Sequence, residues 1–171
     1  MKVIAGIYKG RNIDTIKDTA TRPMMGIARE GIFNTLQFSF ENADVLDLFA
    51  GSGIVGFEAA SRGAASVTFV ESSMRVNALL KMNGAPFKNT EFYYIRQDAV
   101  KFLKLSQSYD IIFADPPYKY HDIETFVSSA MSRLSLDGIL IVESSPREFP
   151  ISPFRVKEYG DTQLSFWRNE A

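Results

Sequence analysis

The sequence predicts an α/β domain, a parallel sheet with helices on both faces, on three observations. From residue 44 onward, short apolar runs alternate with amphipathic stretches, and such alternation builds parallel strands joined by crossover helices. The turn Gly51-Ser52-Gly53-Ile54-Val55-Gly56 follows the first of these runs and opens a helix. The run at 109–114 ends in Asp115-Pro116-Pro117-Tyr118, a poor continuation for a strand, because proline fixes φ and lacks an N–H donor.

Taken in order, residues 3–8 and 11–16 read as a hairpin turning at Lys9-Gly10, set apart from the main body of the chain. Thr21-Arg22-Pro23 is extended, since proline disfavours helix at the residue before it. A helix is expected over 26–38. The strands of the main body are expected at 44–50, 66–71, 91–95, 109–114 and 139–143. The intervening helices are expected at 53–62, at 74–83 with Ser73 as N-cap and Gly84 as stop, and at 99–105. The next helix, capped by Asp122, carries Ile123, Phe126, Val127, Ala130, Met131 and Leu134 on one face. Residues 144–153 hold three prolines and are too short for another crossover. Residues 154–159 and 162–168 flank Gly160-Asp161 as an antiparallel hairpin. The organisation is an extension over 1–40 and a main domain over 41–171.

With 171 residues the chain is long enough for a proper core. No apolar run approaches the ~18–20 residues of a membrane span, and the N-terminus lacks the apolar core of a signal peptide. Zero cysteines and one histidine rule out disulfides, thiolate metal sites and His-rich metal sites, so no metal is expected. A cytoplasmic location is the default expectation. Residues 1–40 carry six basic against three acidic side chains, and the remainder thirteen against seventeen. A basic arm on a mildly acidic body suits a polyanion partner or a solvated surface.

The glycine turn points to a nucleotide-like cofactor. Small residues let backbone approach a ligand, the helix N-terminus offers N–H groups to an anion, and Glu71 can hold a ribose hydroxyl pair. Spacing alone fits a dinucleotide or S-adenosylmethionine (SAM). Asp47, just ahead of the turn, favours SAM, whose ammonium a carboxylate can attract. Asp115-Pro116-Pro117-Tyr118 forms a rigid cup at a neighbouring strand end. Its likeness to the signature of enzymes that methylate nucleobase amines implies that two acceptors, the Asp115 carboxylate and the Pro116 carbonyl, grip the N–H groups of the base's amine and localise its lone pair. Tyr118 can stack on the base, an interaction of about 1–3 kcal/mol.

Asp47-Leu48-Phe49-Ala50-Gly51-Ser52-Gly53 resembles motif I of class I SAM-dependent methyltransferases. Asp115-Pro116-Pro117-Tyr118 resembles the signature of enzymes that methylate exocyclic amines of nucleobases. Nearly the whole chain is similar to the RsmD family of bacterial 16S rRNA (guanine-N2) methyltransferases. Gly6 to Arg11, Thr21-Arg22-Pro23, Arg29 to Asn34 and Glu58 to Ala64 carry that likeness. Met24, and Ile27 at a usually basic position, depart from the family pattern, and Gly26 and Gly31 loosen a helix usually better made.

The resemblance implies a Rossmann-like class I methyltransferase fold, a mixed seven-stranded sheet of order 3-2-1-4-5-7-6 with strand 7 antiparallel and an N-terminal β-hairpin and helix extension. It implies SAM as cofactor, held by Asp47, Phe49, Ala50, Gly51, Ser52, Gly53, Glu71, Asp98 and Ala99. Catalysis falls to Asp115, Pro116, Pro117 and Tyr118. The substrate implied is one guanine of 16S rRNA, numbered 966, in the 30S subunit or an assembly intermediate. Lys9, Arg11, Arg22 and Arg29 would contact the RNA, and a monomer is expected. The cup would serve adenine N6 equally. A non-catalytic RNA-binding assembly factor and a nicotinamide-dependent oxidoreductase are the readings from other classes. His121, Trp167 and Glu143 read as a surface residue, a packing residue and a sheet-edge polar residue.

Overall fold

A computed structural model describes residues 1–16, 26–37, 39–104, 107–118 and 120–170. Seven strands form one sheet: β1 (Asp44–Leu48), β2 (Ser66–Val70), β3 (Glu91–Ile95), β4 (Tyr109–Ala114), β5 (Leu134–Ser144), β6 (Arg155–Tyr159) and β7 (Thr162–Arg168). Their order is β3-β2-β1-β4-β5-β7-β6. The first five run parallel, and β7 lies antiparallel to both β5 and β6. The helices are α1 (Gly26–Thr35), α2 (Ile54–Ser61), α3 (Met74–Gly84), α4 (Ala99–Phe102) and α5 (Ile123–Met131).

The apolar strands alternate between two cores. Val45, Phe69, Ile111, Phe113, Ile141 and Phe166 face one side, with Phe33 of α1, Phe57 of α2 and Leu80 of α3. Leu46, Leu48, Ile112, Leu140 and Trp167 face the other, with Phe102 of α4 and Phe126 of α5. Both faces are buried, as a parallel sheet requires. Ser73 caps α3 by accepting from Val76 N at 3.3 Å, and Asp122 caps α5 by accepting from Thr125 N at 3.3 Å, which ties up donors that helix starts leave unpaired.

The structure corrects several local expectations. The N-terminal hairpin is reduced to one antiparallel bridge, Lys2 with Asn12. Past Val3 the backbone N–H groups of Ile4 and Ala5 leave the ladder and donate to the Glu58 carboxylate at 2.7 and 2.9 Å. Gly6 (φ 81°) then turns the chain. Nor does the arm stand apart, because Val3 and Ile13 belong to the same core as Phe57. Helix α1 stops at Thr35 and α4 at Phe102; Phe38 and Leu105, at the expected ends, lie outside the described residues. Leu134, expected at the end of α5, instead begins β5, where it pairs with Tyr109. Gly31 leaves room for Tyr159, since a Cβ there would lie 2.0 Å from the Tyr159 hydroxyl.

Candidate active site

The order of the sheet reverses at β1, which has β2 on one side and β4 on the other. Ligands of open α/β sheets bind at such a crevice, outside the carboxyl ends of the strands. Parallel register pairs Leu48 with Ala114, and Ala114 with Val142. The glycine loop after β1, Asp115 after β4 and Glu143 near the end of β5 therefore meet at one edge.

The glycine loop is specified residue by residue. Phe49 (φ 58°), Gly51 (φ 53°) and Gly53 (φ 78°) are left-handed. For a side-chain-bearing residue such as Phe49 this costs about 1–3 kcal/mol. The Phe49 ring packs against Phe126 and Tyr120, with centroids 5.6 and 5.9 Å away, which offsets that strain. At Gly53 a Cβ would lie 2.5 Å from Leu80 and 2.7 Å from Phe57, and at Gly56 it would lie 2.3 Å from Phe69. Gly56 lets helix α2 approach β2, and Gly53 lets the start of α2 pack against α3. At Gly51 a Cβ would meet nothing nearer than the Phe49 carbonyl at 4.0 Å, so this backbone borders open space, as a cofactor cradle needs. The Ala50 N–H donates to Val70 O at 3.2 Å, and Ser52 O accepts from Asn83 Nδ2 at 3.2 Å.

Glu71 joins this loop to the next one. Its carboxylate accepts from Gly51 N at 3.2 Å and from Ser73 N at 2.9 Å. An ionised carboxylate has about four acceptor sites, so ribose hydroxyls can take the others. Asp98 caps α4, accepting from Lys101 N at 3.0 Å, and Ala99 beside it is buried. Gly51, Ser52, Gly53, Glu71, Asp98 and Ala99 thus follow the carboxyl edges of β1, β2 and β3. The set fits an adenosyl cofactor with an amino-acid tail. Asp47 differs from expectation. It is 1 % exposed and accepts from Gly56 N at 3.1 Å, so it supports the loop from below and does not present an open carboxylate to an ammonium. Burial pushes its pKa well above the usual carboxylate range, Gly56 N–H opposes the shift, and Asp115 and Glu71 add to it.

In the cup, Pro117 O accepts from Tyr120 N at 2.8 Å, which closes the turn. The Tyr118 hydroxyl donates to Asp161 O at 3.1 Å, in the turn between β6 and β7. Asp115, Pro116, Pro117, Tyr118, Tyr120, Ile123, Glu143 and Arg147 line a hollow of about 20 Å³ that is partly open to solvent, enough for a water-sized group. Burial first, and then the Glu143 carboxylate, push the Asp115 pKa up to about 8. Arg147, on the rim, is clamped by Gln163, whose Oε1 accepts from Arg147 N at 3.0 Å and whose Nε2 donates to Arg147 O at 2.9 Å.

The expected RNA contacts divide. Lys9 and Arg11 are exposed, and the Arg11 guanidinium lies 5.3 Å from the Tyr8 ring centroid. Arg22 lies outside the described residues. Arg29 is a correction: it is only 7 % exposed, and its Nη2 donates to Lys2 O at 2.9 Å. It fastens the arm to α1 and is withdrawn from any RNA-facing surface. His121 is exposed, and Trp167 is buried with Nε1 donating to Ile151 O at 2.8 Å.

Sequence reasoning missed Glu58, Asn83 and Glu143. Glu58 is fully buried, paired with Arg62 at 3.1 Å, and holds the arm. Asn83 accepts from Asp14 N at 3.0 Å while its amide reaches Ser52 O, linking arm and glycine loop. For Glu143 the available signal was an acid ending an apolar strand run beside the Asp115 strand.

The family described as "Conserved hypothetical protein 95" matches residues 1–168. The ribosomal RNA small subunit methyltransferase D of Haemophilus influenzae is 32% identical over 160 residues, covering 90% of this chain and 83% of that protein. The protein of the same name in Escherichia coli is 31% identical over 147 residues, covering 84% and 74%. Among solved structures, yhhF of Escherichia coli has a TM-score of 0.88 at 30% identity, covering 100% of this chain and 98% of that one. SMU.776, solved with S-adenosylhomocysteine (SAH), shares the fold, with a TM-score of 0.71 at 16% identity over 84% of this chain and 50% of that one.

Proposed function

We propose that this chain, which belongs to the RsmD family of SAM-dependent methyltransferases, methylates the exocyclic N2 of one guanine in small-subunit ribosomal RNA. SAM-dependent methylation of ribosomal RNA follows from its relatives. The choice of N2, of guanine 966 and of the 30S subunit or an assembly intermediate is our finer reading, with the chain acting as a monomer. The register of Leu48 with Ala114, which sets the glycine loop beside Asp115-Pro116-Pro117-Tyr118, supports methyl transfer to an exocyclic amine, and the choice of guanine rests on the family likeness of Gly6 to Arg11, Thr21-Arg22-Pro23 and Arg29 to Asn34.

SAM, when bound, supplies an electrophilic methyl group. Gly51, Ser52, Gly53, Glu71, Asp98 and Ala99 would hold it, with Asp47, Phe49 and Ala50 shaping the loop. A guanine amine is a weak nucleophile because its lone pair is delocalised into the ring. The Asp115 carboxylate and the Pro116 carbonyl accept its two N–H groups and localise that lone pair. Tyr118 stacks on the base and fixes the line of approach; positioning of this kind supplies much of an enzymatic rate. Those groups would hold the amine nitrogen in line with the methyl group that SAM would supply, and Asp115 would take up the surplus N–H proton. A pKa raised to about 8 suits that acceptor near neutral pH. A target in a helix must first leave its stack, at a few kcal/mol. Lys9, Arg11 and Arg22 would position the RNA through phosphates, contacts that carry no sequence information themselves.

Nucleoside mass analysis of small-subunit rRNA, with and without the gene, tests this reading. Loss of one N2-methylguanine, restored by the wild-type gene, is the expected outcome. Its persistence, or loss of an N6-methyladenine instead, overturns the guanine reading.

A further inference from the structure

We propose that Glu143 is the residue that selects guanine, accepting its N1–H while Asp115 accepts the adjacent N2 amine. The inference rests on the guanine-N2 reading above. Parallel pairing of Ala114 with Val142 makes Asp115 and Glu143 the next residues along adjoining strands. Both line the same hollow, with Pro116 and Tyr118. On its other side Glu143 is in register with Leu164 of β7, so its backbone is fixed from both flanks. With Asp115 in its ionised, working form, the two carboxylates side by side make a wall of acceptors, and the field of Glu143 raises the Asp115 pKa.

The Watson–Crick edge of guanine complements that wall. Its N1–H and N2 amine are adjacent donors. Adenine and 2-aminopurine each present an amine beside an N1 that is itself an acceptor. Against Glu143 that N1 would forfeit a hydrogen bond and set a lone pair against a carboxylate. A hydrogen bond to a charged group, together with the penalty for leaving it unmade, corresponds to roughly 10–100-fold in kcat/KM. Asp115 alone grips any exocyclic amine, whereas the pair reads the atom next to it.

The test uses small subunits assembled on 16S rRNA carrying guanine or 2-aminopurine at the modified position. Wild type should favour guanine by roughly 10–100-fold. Glu143→Gln keeps the shape of the side chain and can either accept or donate, so the preference should fall to within about threefold, with SAM affinity by calorimetry unchanged. An unchanged preference in Glu143→Gln, or a preference near one in wild type, overturns the proposal. So does loss of activity on both substrates with SAM binding intact, because 2-aminopurine does not need the N1 contact. Failure of wild type to form N2-methylguanine at all would instead sink the guanine-N2 reading.

Discussion

The glycine loop after β1 is pinned at nearly every residue, whereas the cup after β4 relies on proline geometry and on a tyrosine tied to a distant hairpin. In the loop, Gly53 and Gly56 have no room for a Cβ, and Glu71, Asn83 and Asp47 each bond to its backbone or to the helix it opens. In the cup, Tyr118 is 53% exposed and the hollow beside it, about 20 Å³, is partly open to solvent. The difference separates two tasks. A cofactor of fixed shape rewards a preformed cradle. A base of an RNA substrate arrives with another molecule and needs an accessible face to dock on.

Substitutions on the two sides should therefore fail differently. The largest effect is expected at Asp115. Asp115→Ala should lower methyl transfer by about 10²–10⁴-fold while SAM binding, read by calorimetry, persists. Gly53→Ala should do the reverse, costing about 2–4 kcal/mol in denaturant unfolding and abolishing SAM binding, because φ 78° and the contacts with Leu80 and Phe57 both oppose a methyl group. If Gly53→Ala binds SAM normally, the contrast between the two loops fails. Tyr118→Phe removes the bond to Asp161 O but keeps the stacking ring. A loss of about 2–10-fold in kcat/KM, with unfolding unchanged, is expected.

The contrast extends to pH. The folded pKa of Asp115 is raised to about 8 from 3.8, so the folded state holds its proton more tightly than the unfolded chain. That contribution to stability is fully present below the unfolded value and is lost as pH rises through about 8. Asp115→Asn should remove this slope, and at pH 8.5 the variant should be more stable than wild type in thermal unfolding. In activity the ionised acceptor is the working form, so kcat/KM should climb toward a plateau above about pH 8, and the climb should vanish in Asp115→Asn.

Features written locally were legible in the sequence. Ser73 and Asp122 cap the helices that follow them, and the strand–helix rhythm together with the family resemblance led to the observed strand order. Contacts between distant segments were not legible. Glu58 takes N–H groups 54 and 53 residues away, and Asn83 one 69 residues away. A local pattern carries no trace of such partners. For the same reason Arg29 read as a cation for RNA, since sequence states a charge but not which way a helix faces. Asp47 read as an open carboxylate because its place beneath α2 depends on Gly56 packing against Phe69. At Glu143, ordinary as the last acid of an apolar strand, the meaning lies in which strand is its neighbour.

The most direct test is methyl transfer from isotopically labelled SAM to small subunits, followed by nucleoside mass analysis, for wild type and Asp115→Ala. Labelled N2-methylguanine is expected from wild type alone, with both proteins binding SAM. Label in N6-methyladenine, or undiminished transfer by Asp115→Ala, would contradict the assignment of Asp115-Pro116-Pro117-Tyr118 as the catalytic cup for guanine N2.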